Sequence, residues 1–554
     1  MIHPPLLIAD RPNWGDVPGW VSAGVTLTAL IFAVVAVIFA RRTLRLELGR
    51  DRVNSEARQR QDDFVRRSQA ALVSAWWAEE GGHVVQKRGN RWGVYLRNAS
   101  DTPVYKAALT VQGTGTHAKR KVLELRVVPP TTAPVFYPII MHSGHGTSDL
   151  GSSSHDLPDY RINLRFTDSA GVRWARDQYG YLKELDPNLL IWTSPEGAAV
   201  IEPFTEEFLA TYGVTASLDT NYIQAELQKH FIETDPGPDI LIGPHDWVGN
   251  LAKRCLIDPV TLSDERSSAF TQEHLNALSF EGELYAVPSS LDTVALFRNT
   301  DVVPNLPDSI EDLLATAQDL RDKNIVTELM AVPVGSKGDM FYFWPMFTSA
   351  GGWLFERRAD GSWDTSRQGI DTPETLAAFD KVRMLSKLGV LRPEIDGARS
   401  LDLFKQSKAA FMLGTSGAVA RIREANLNFA VSPVPPFQNG SPSNPFCSVI
   451  GFYIARHGKN KIVAGDLVPD YLARAAVAEE FGRIGYVVPL KVADSCDPAI
   501  RDFHNLCSTT PPMPSFPEMR EVWHLLDTAE VALVAGTETK DVVQVLAEAL
   551  RKLF

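Results

Sequence analysis

"DILIGPHDWVGNLAKRCLIDPV" spans Asp239–Val260. Its apolar run Ile240–Ile242 reads as a short buried strand. Gly243-Pro244 breaks that strand, and the residues after Trp247 return to a helical pattern. At the break stand His245, Asp246 and Trp247. Two readings of this pair stand open. Either Asp246 caps the following helix while Trp247 packs, or both face a ligand at the carboxyl end of a sheet strand, where open α/β folds place their sites.

Outward from this stretch, strands and helices alternate. "LLIWTS", "VTASLDT" and "PDILIGPHD" read as strands, and "AVIEPFTEEFLATYG", stopped by Gly213, and "IQAELQKHFIET" as helices. Strands separated by helices of this length predict βαβ units and a largely parallel sheet. Right-handed crossovers then bring the loops after the strands, Ser194–Gly197 and His245–Trp247, around one crevice.

Upstream the character changes. Residues 83–186 carry alternating segments such as "RWGVYLRNAS" and "KAALTVQG". "RINLRFTDSAGVRWARD" reads as two strands joined by a Ser-Ala-Gly turn, so a small β-sandwich-like domain is expected. Residues 41–80 read as a helical stalk, with Phe64, Leu72 and Trp76 as a thin apolar stripe. Residues 17–40 hold no charge and include "VSAGVTLTALIFAVVAVIFA", long enough to cross a bilayer of ~30 Å hydrocarbon as one transmembrane helix. The tail, residues 1–16, lacks the basic segment of a cleavable signal peptide. Nine arginines lie between Arg41 and Arg67, and such a flank stays in the cytoplasm.

Composition bounds the function. The 554 residues carry a net charge of −12, which argues against a nucleic-acid partner. The four cysteines, Cys255, Cys447, Cys496 and Cys507, contain no Cys-x-x-Cys pair, so neither a metal nor a cofactor is expected. They read as buried free thiols, or with Cys496 and Cys507 bridged. There is no phosphate loop and no His-Glu-x-x-His, and "LGTSGA" falls one residue short of a nucleophile elbow, so an enzyme is not expected.

Five segments recur in one order: "GPDILIGPHDWVGNLAKRCLI", "FEGELYAVPSSLDTVALFRNTDVVPNLPDSIEDLL", "GDMFYFWPMFTSAGGWLFE", "FKQSKAAFMLGTSGAV" and "MPSFPEMREVWHLLDTA". With them, residues 188–554 resemble the maltose/maltodextrin-binding proteins of ABC importers, within the family 1 extracellular solute-binding proteins. The resemblance implies a bilobal, periplasmic-binding-protein-like α/β domain. Lobe 1 would hold about 188–291 and 452–500, and lobe 2 about 296–446 and 503–554, closing on a ligand between them. It implies a membrane-anchored protein that binds a maltodextrin-like oligosaccharide or related polyol noncovalently, with ABC permease subunits as partners.

Site residues follow from the same resemblance, position by position. Glu196 matches a polar contact after the first strand. Asp246 and Trp247 match the site loop. Asp292 stands at a hinge carboxylate that is usually Glu. Asp339 and Phe341 match a carboxylate and a ring, Trp523 an aromatic platform, and His524 a second ring. Ser416 replaces a sugar-stacking Trp. Gly243 and Gly197 replace a second Trp and a Lys, and Asp527 stands where a basic residue can occur. Carboxylates accept hydrogen bonds from sugar hydroxyls, and Trp packs on the C–H face of a sugar ring. The resemblance places the lobes outside the cell, whereas the Arg-rich flank places them inside. A membrane-tethered, cytoplasm-facing sensor for a non-sugar ligand is therefore the alternative, and a glycoside-acting enzyme a more distant one.

Overall fold

The structure is a computed structural model that describes residues 64, 67–80, 92–113, 119–139, 160–220, 237–359, 361–490 and 497–554. The expected transmembrane span at 17–40, the N-terminal tail, the helix expected near 223–234 and Cys496 lie outside these residues. Among the described residues no helix is long and apolar enough to cross a membrane. The chain divides into a small unit, residues 1–73 with 99–102, and a large one holding the rest. In the small unit the Ala99 N–H donates to Leu72 C=O at 3.0 Å, and Gln69 donates to Thr102 C=O at 3.3 Å.

The end of the expected helical stalk is a strand, Val73–Glu79, that joins Trp92–Asn98 and Val135–Pro138 in a three-stranded sheet. Aromatic pairs between strands explain the correction. Trp76 stacks on Tyr95 at 5.7 Å, and Trp77 lies 6.2 Å from Trp92 and 4.5 Å from Tyr160. Such pairs stabilise a sheet face and outweigh a thin helical stripe. A second, five-stranded sheet runs Arg120–Val128, Val104–Gly113, Tyr160–Thr167, Arg173–Arg176, Leu182–Glu184, with every neighbour antiparallel. Its expected turn is held by Asp168, which accepts from the Ala170 and Val172 N–H groups and from the Trp174 indole.

Beyond residue 187 the α/β region begins. Thr215–Asp219, Asn188–Trp192 and Ile240–Pro244 lie side by side and parallel. The next neighbour is Ser448–Ala455, antiparallel to Ile240–Pro244, and it also pairs with Ile257–Asp258 and Ala286–Asp292. The six-stranded sheet is therefore mixed, not largely parallel. The strand that changes its sense arrives from two hundred residues away, beyond the reach of local periodicity. A separate antiparallel sheet of Phe411–Gly414, Ala295–Asn299 and Phe429–Ser432 follows. It packs with the helices Ile310–Asp322, Met340–Ser349, Pro373–Lys387, Met519–Val534 and Thr539–Leu553 around one large apolar core. The chain passes between the two sheets at Asp292–Ala295 and returns at Phe446–Ser448. There Cys447 bridges to Pro512, and the buried Cys447 and Cys507 are free thiols in contact.

The β region is fastened to the six-stranded sheet by buried charge. Asp466, on the helix Lys461–Leu467, accepts from Arg120 at 2.7 Å, Arg165 at 2.5 Å and Thr110 at 2.8 Å. Asp470 accepts from Arg120 at 2.5 and 3.1 Å. Burial pushes the Asp466 carboxyl upward, but Arg165 and Arg120 outweigh it and hold the group below the ordinary carboxylate range.

Candidate functional site

The Asp239–Val260 stretch folds as its punctuation suggests: the strand Ile240–Pro244, one 3-10 turn at His245–Trp247, and the helix Val248–Lys253. His245 is fully buried. Its Nδ1 accepts from the Val449 N–H at 3.0 Å, so Nε2 carries the proton and donates to Met513 C=O at 2.9 Å. Burial lowers its pKa to about 4 against the pull of those two bonds, which keeps the ring neutral. His245 thus ties the strand end to the central strand and to the segment around Met513.

Asp246 caps neither the turn nor the helix with its side chain. Its carboxylate is hydrogen-bonded by Trp523, and Asp246 Oδ1 is buried with no partner. Burial raises its pKa to about 7, partly offset by its own backbone N–H and by Trp523. Trp247 does something else. Its ring lies across Gly243, where an added Cβ would come within 2.1 Å of the indole. The missing side chain at Gly243 makes the room that Trp247 occupies, and Trp247 packs half-buried against the core beneath.

On the other side of the crossing, the helix Met340–Ser349 begins against the helix Met519–Val534. Gly338, at φ +84, lets the loop approach so closely that a Cβ would sit 2.3 Å from Asp527 C=O. Asp527 accepts from Met340 N–H at 2.9 Å and Glu530 from Asp339 N–H at 2.7 Å. These two acids supply the acceptors that the first turn of a helix needs. Burial, followed by the charge of Asp527, raises Asp339 to about 7, and burial with Asp339 and Asp527 raises the fully buried Glu530 to about 8. Phe341 meets Trp523 edge-on at 6.2 Å, and Trp344 and Phe446 each lie 6.1 Å from the same indole.

Asp292 lies where the chain crosses between the sheets. It accepts from Ser416 N–H at 2.8 Å and Thr293 N–H at 3.0 Å. Burial raises it to about 6 in spite of those bonds and one from Thr415. Tyr342 joins the two halves: burial, then the charges of Asp339 and Asp292, push its hydroxyl up, and Thr415 bonds it. Glu196 stands on the helix Pro195–Ile201, whose cap is Ser194, and pairs with Arg421. The half-buried Tyr486 feels both Glu196 and Asp292. His524 is exposed and acts on Asp527.

The structure therefore brings Asp246, Trp523, Phe341, Asp339, Asp292 and Ser416 into one continuous set, with Glu196 reached through Tyr486 and Arg421. It leaves Trp247 packed on its own strand end and His524 on the outer face of its helix. Sequence reasoning missed Tyr342, Thr415, Arg421, Tyr486 and Glu530. Only Glu530 carried a signal, as a lone acid in the apolar run "AEVALV". A cavity of 380 Å³ lies where the β region meets the six-stranded sheet and one of 580 Å³ lies between the β region and the end of the helix Thr205–Tyr212, and no candidate residue lines either. Among the described residues no cluster of His, Cys, Asp or Glu is arranged to hold a metal.

Comparison with known proteins adds to this geometry. Residues 199–503 match the model of a family described as "Bacterial extracellular solute-binding protein". The chain is 25% identical over 350 residues to the maltotriose-binding protein of Pyrococcus abyssi (strain GE5 / Orsay), covering 60% of this chain and 75% of that protein. It is 23% identical over 312 residues to the galactooligosaccharide-binding protein of Bacillus subtilis (strain 168), covering 54% and 73%. To the maltooligosaccharide ABC transporter solute-binding lipoprotein of Streptococcus pneumoniae (strain ATCC BAA-255 / R6) it is 21% identical over 395 residues, covering 66% and 89%.

Proposed function

The chain belongs to the bacterial extracellular solute-binding proteins, and from that premise we propose that it is a membrane-anchored receptor that holds an oligosaccharide noncovalently. In this reading the two sheets with their helices are two lobes, residues 17–40 are the anchor, and an ABC permease receives the ligand. The lobes close about the crossings near Asp292 and Cys447. Catalysis is not part of the reading. The observation that carries it is the meeting of Asp246, Asp339 and Asp292 with Trp523 and Phe341 beside those crossings. Acceptors for hydroxyl groups and faces for sugar rings stand together there, and named relatives bind oligosaccharides.

Trp523→Ala should weaken sugar binding by about 2 kcal/mol, the scale of a buried aromatic anchor. Calorimetry against a panel of malto- and galacto-oligosaccharides checks this. Failure of every sugar to bind at millimolar concentration, with a peptide binding instead, removes the carbohydrate reading.

One observation favours a second reading. The β region is locked to the six-stranded sheet through Asp466, so lobe closure would move it as one piece. Together with the Arg-rich flank, this suits a tethered sensor facing the cytoplasm. Protease added to wall-stripped cells separates the two: digestion of the C-terminal region supports the receptor outside, and protection until lysis supports the sensor.

A further inference from the structure

The candidate site holds more buried carboxyl groups than hydroxyl recognition requires. Asp246, Asp292, Asp339, Asp527 and Glu530 form no ion pair with any described Lys or Arg. Asp466, by contrast, is paired with Arg120 and Arg165. Two carboxylate oxygens in the set, Asp246 Oδ1 and Glu530 Oε1, are buried without partners, and Glu530 is 0% exposed.

Buried acids without cations are costly, and the cost is relieved when a positive charge enters. The rings nearby are suited to the same guest. An ammonium over the face of Trp or Phe is attracted by the ring quadrupole, and an ammonium-to-carboxylate hydrogen bond is roughly twice as strong as a neutral one. A neutral sugar offers hydroxyl donors alone and leaves the acids crowded.

Resting on the carbohydrate reading above, we propose that the occupant is a cationic saccharide, an oligosaccharide whose sugars carry free amines. Asp246 and Asp339 receive the ammonium groups, and Trp523 and Phe341 receive the ring faces. Asp527 and Glu530 hold the start of the helix that carries Asp339. Binding draws protons off the carboxylates as the ammonium enters, with no covalent step.

The test is calorimetry on the full chain near neutral pH with three trisaccharides: β-1,4-linked glucosamine with free amines, its fully N-acetylated counterpart, and maltotriose. The aminated sugar should bind about tenfold or more tightly than the other two, as one charge-assisted bond implies. Asp339→Asn should abolish the roughly tenfold preference for the aminated sugar over the N-acetylated one. The Asp339 backbone N–H, not its side chain, meets Glu530, so this variant keeps that contact. Asp246→Asn serves as a second variant with the same expectation. Equal or tighter binding of maltotriose or the N-acetylated sugar overturns the amine inference and leaves the carbohydrate reading standing. Binding of spermidine with no binding of any saccharide overturns both.

Discussion

Asp466→Ala is expected to destabilise the protein by about 3 kcal/mol and to release the β region from the six-stranded sheet, because removing one partner strands a buried charge. Arg120 and Asp466 are each only 4% exposed at the side chain. The substitution removes an acceptor from Arg120, Arg165 and Thr110 at once. Arg120 keeps Asp470, and Arg165 keeps the face of Tyr212 at 5.4 Å, which limits the loss. Hydrogen exchange should rise in Val104–Gly113 and Tyr160–Thr167, while the strand Ser448–Ala455 stays protected. Adding Arg165→Met should recover part of the loss, since one unpaired charge is then gone. Unchanged exchange in both strands would mean that the ion cluster does not hold the junction.

Stability should fall by about 3 kcal/mol between pH 6.5 and 8. Burial raises the folded-state pKa of Asp246 and Asp339 to about 7, Asp292 to about 6 and Glu530 to about 8. A group raised on folding contributes stability that is complete below its unfolded pKa and is lost as the pH passes its folded pKa. His245 acts in the opposite sense, since its folded pKa is lowered to about 4. Its contribution is lost as the pH falls from about 6.5 toward 4, so it does not offset the carboxylates above pH 6.5. Thermal unfolding at the two pH values reads the difference. Glu530→Gln should remove the largest share, as it has the highest pKa of the four and its neutral form needs no cation. A midpoint that rises from pH 6.5 to 8 would show that these acids do not dominate.

Much of the fold was legible because local chemistry dictates it. Gly243-Pro244 had to end a strand, Gly213 had to stop a helix, where it sits at φ +69, and the Ser-Ala-Gly turn follows from the residues around Asp168. The stalk failed at Val73–Glu79 because the pairing of Trp76 with Tyr95 depends on a strand far from helical reach. The parallel sheet failed for the same kind of reason: Ser448–Ala455 enters beside Ile240–Pro244 from the other end of the domain.

The candidate site divides along the same line. Sequence alone determined that a carboxylate and an aromatic ring stand at the mouth of the Ile240–Pro244 strand, since strand, break and helix are set by residues within a few positions. It also determined the ordered segments that mark the family. It could not decide between a helix cap and a site for Asp246, because both put the same residue at the same place. Tertiary structure excluded the cap. Asp246 caps nothing and meets Trp523, while Trp247 folds down over Gly243. The surplus of acids was likewise visible only in three dimensions. Charges far apart in the chain act on each other only when folding brings them into one buried, weakly screened space.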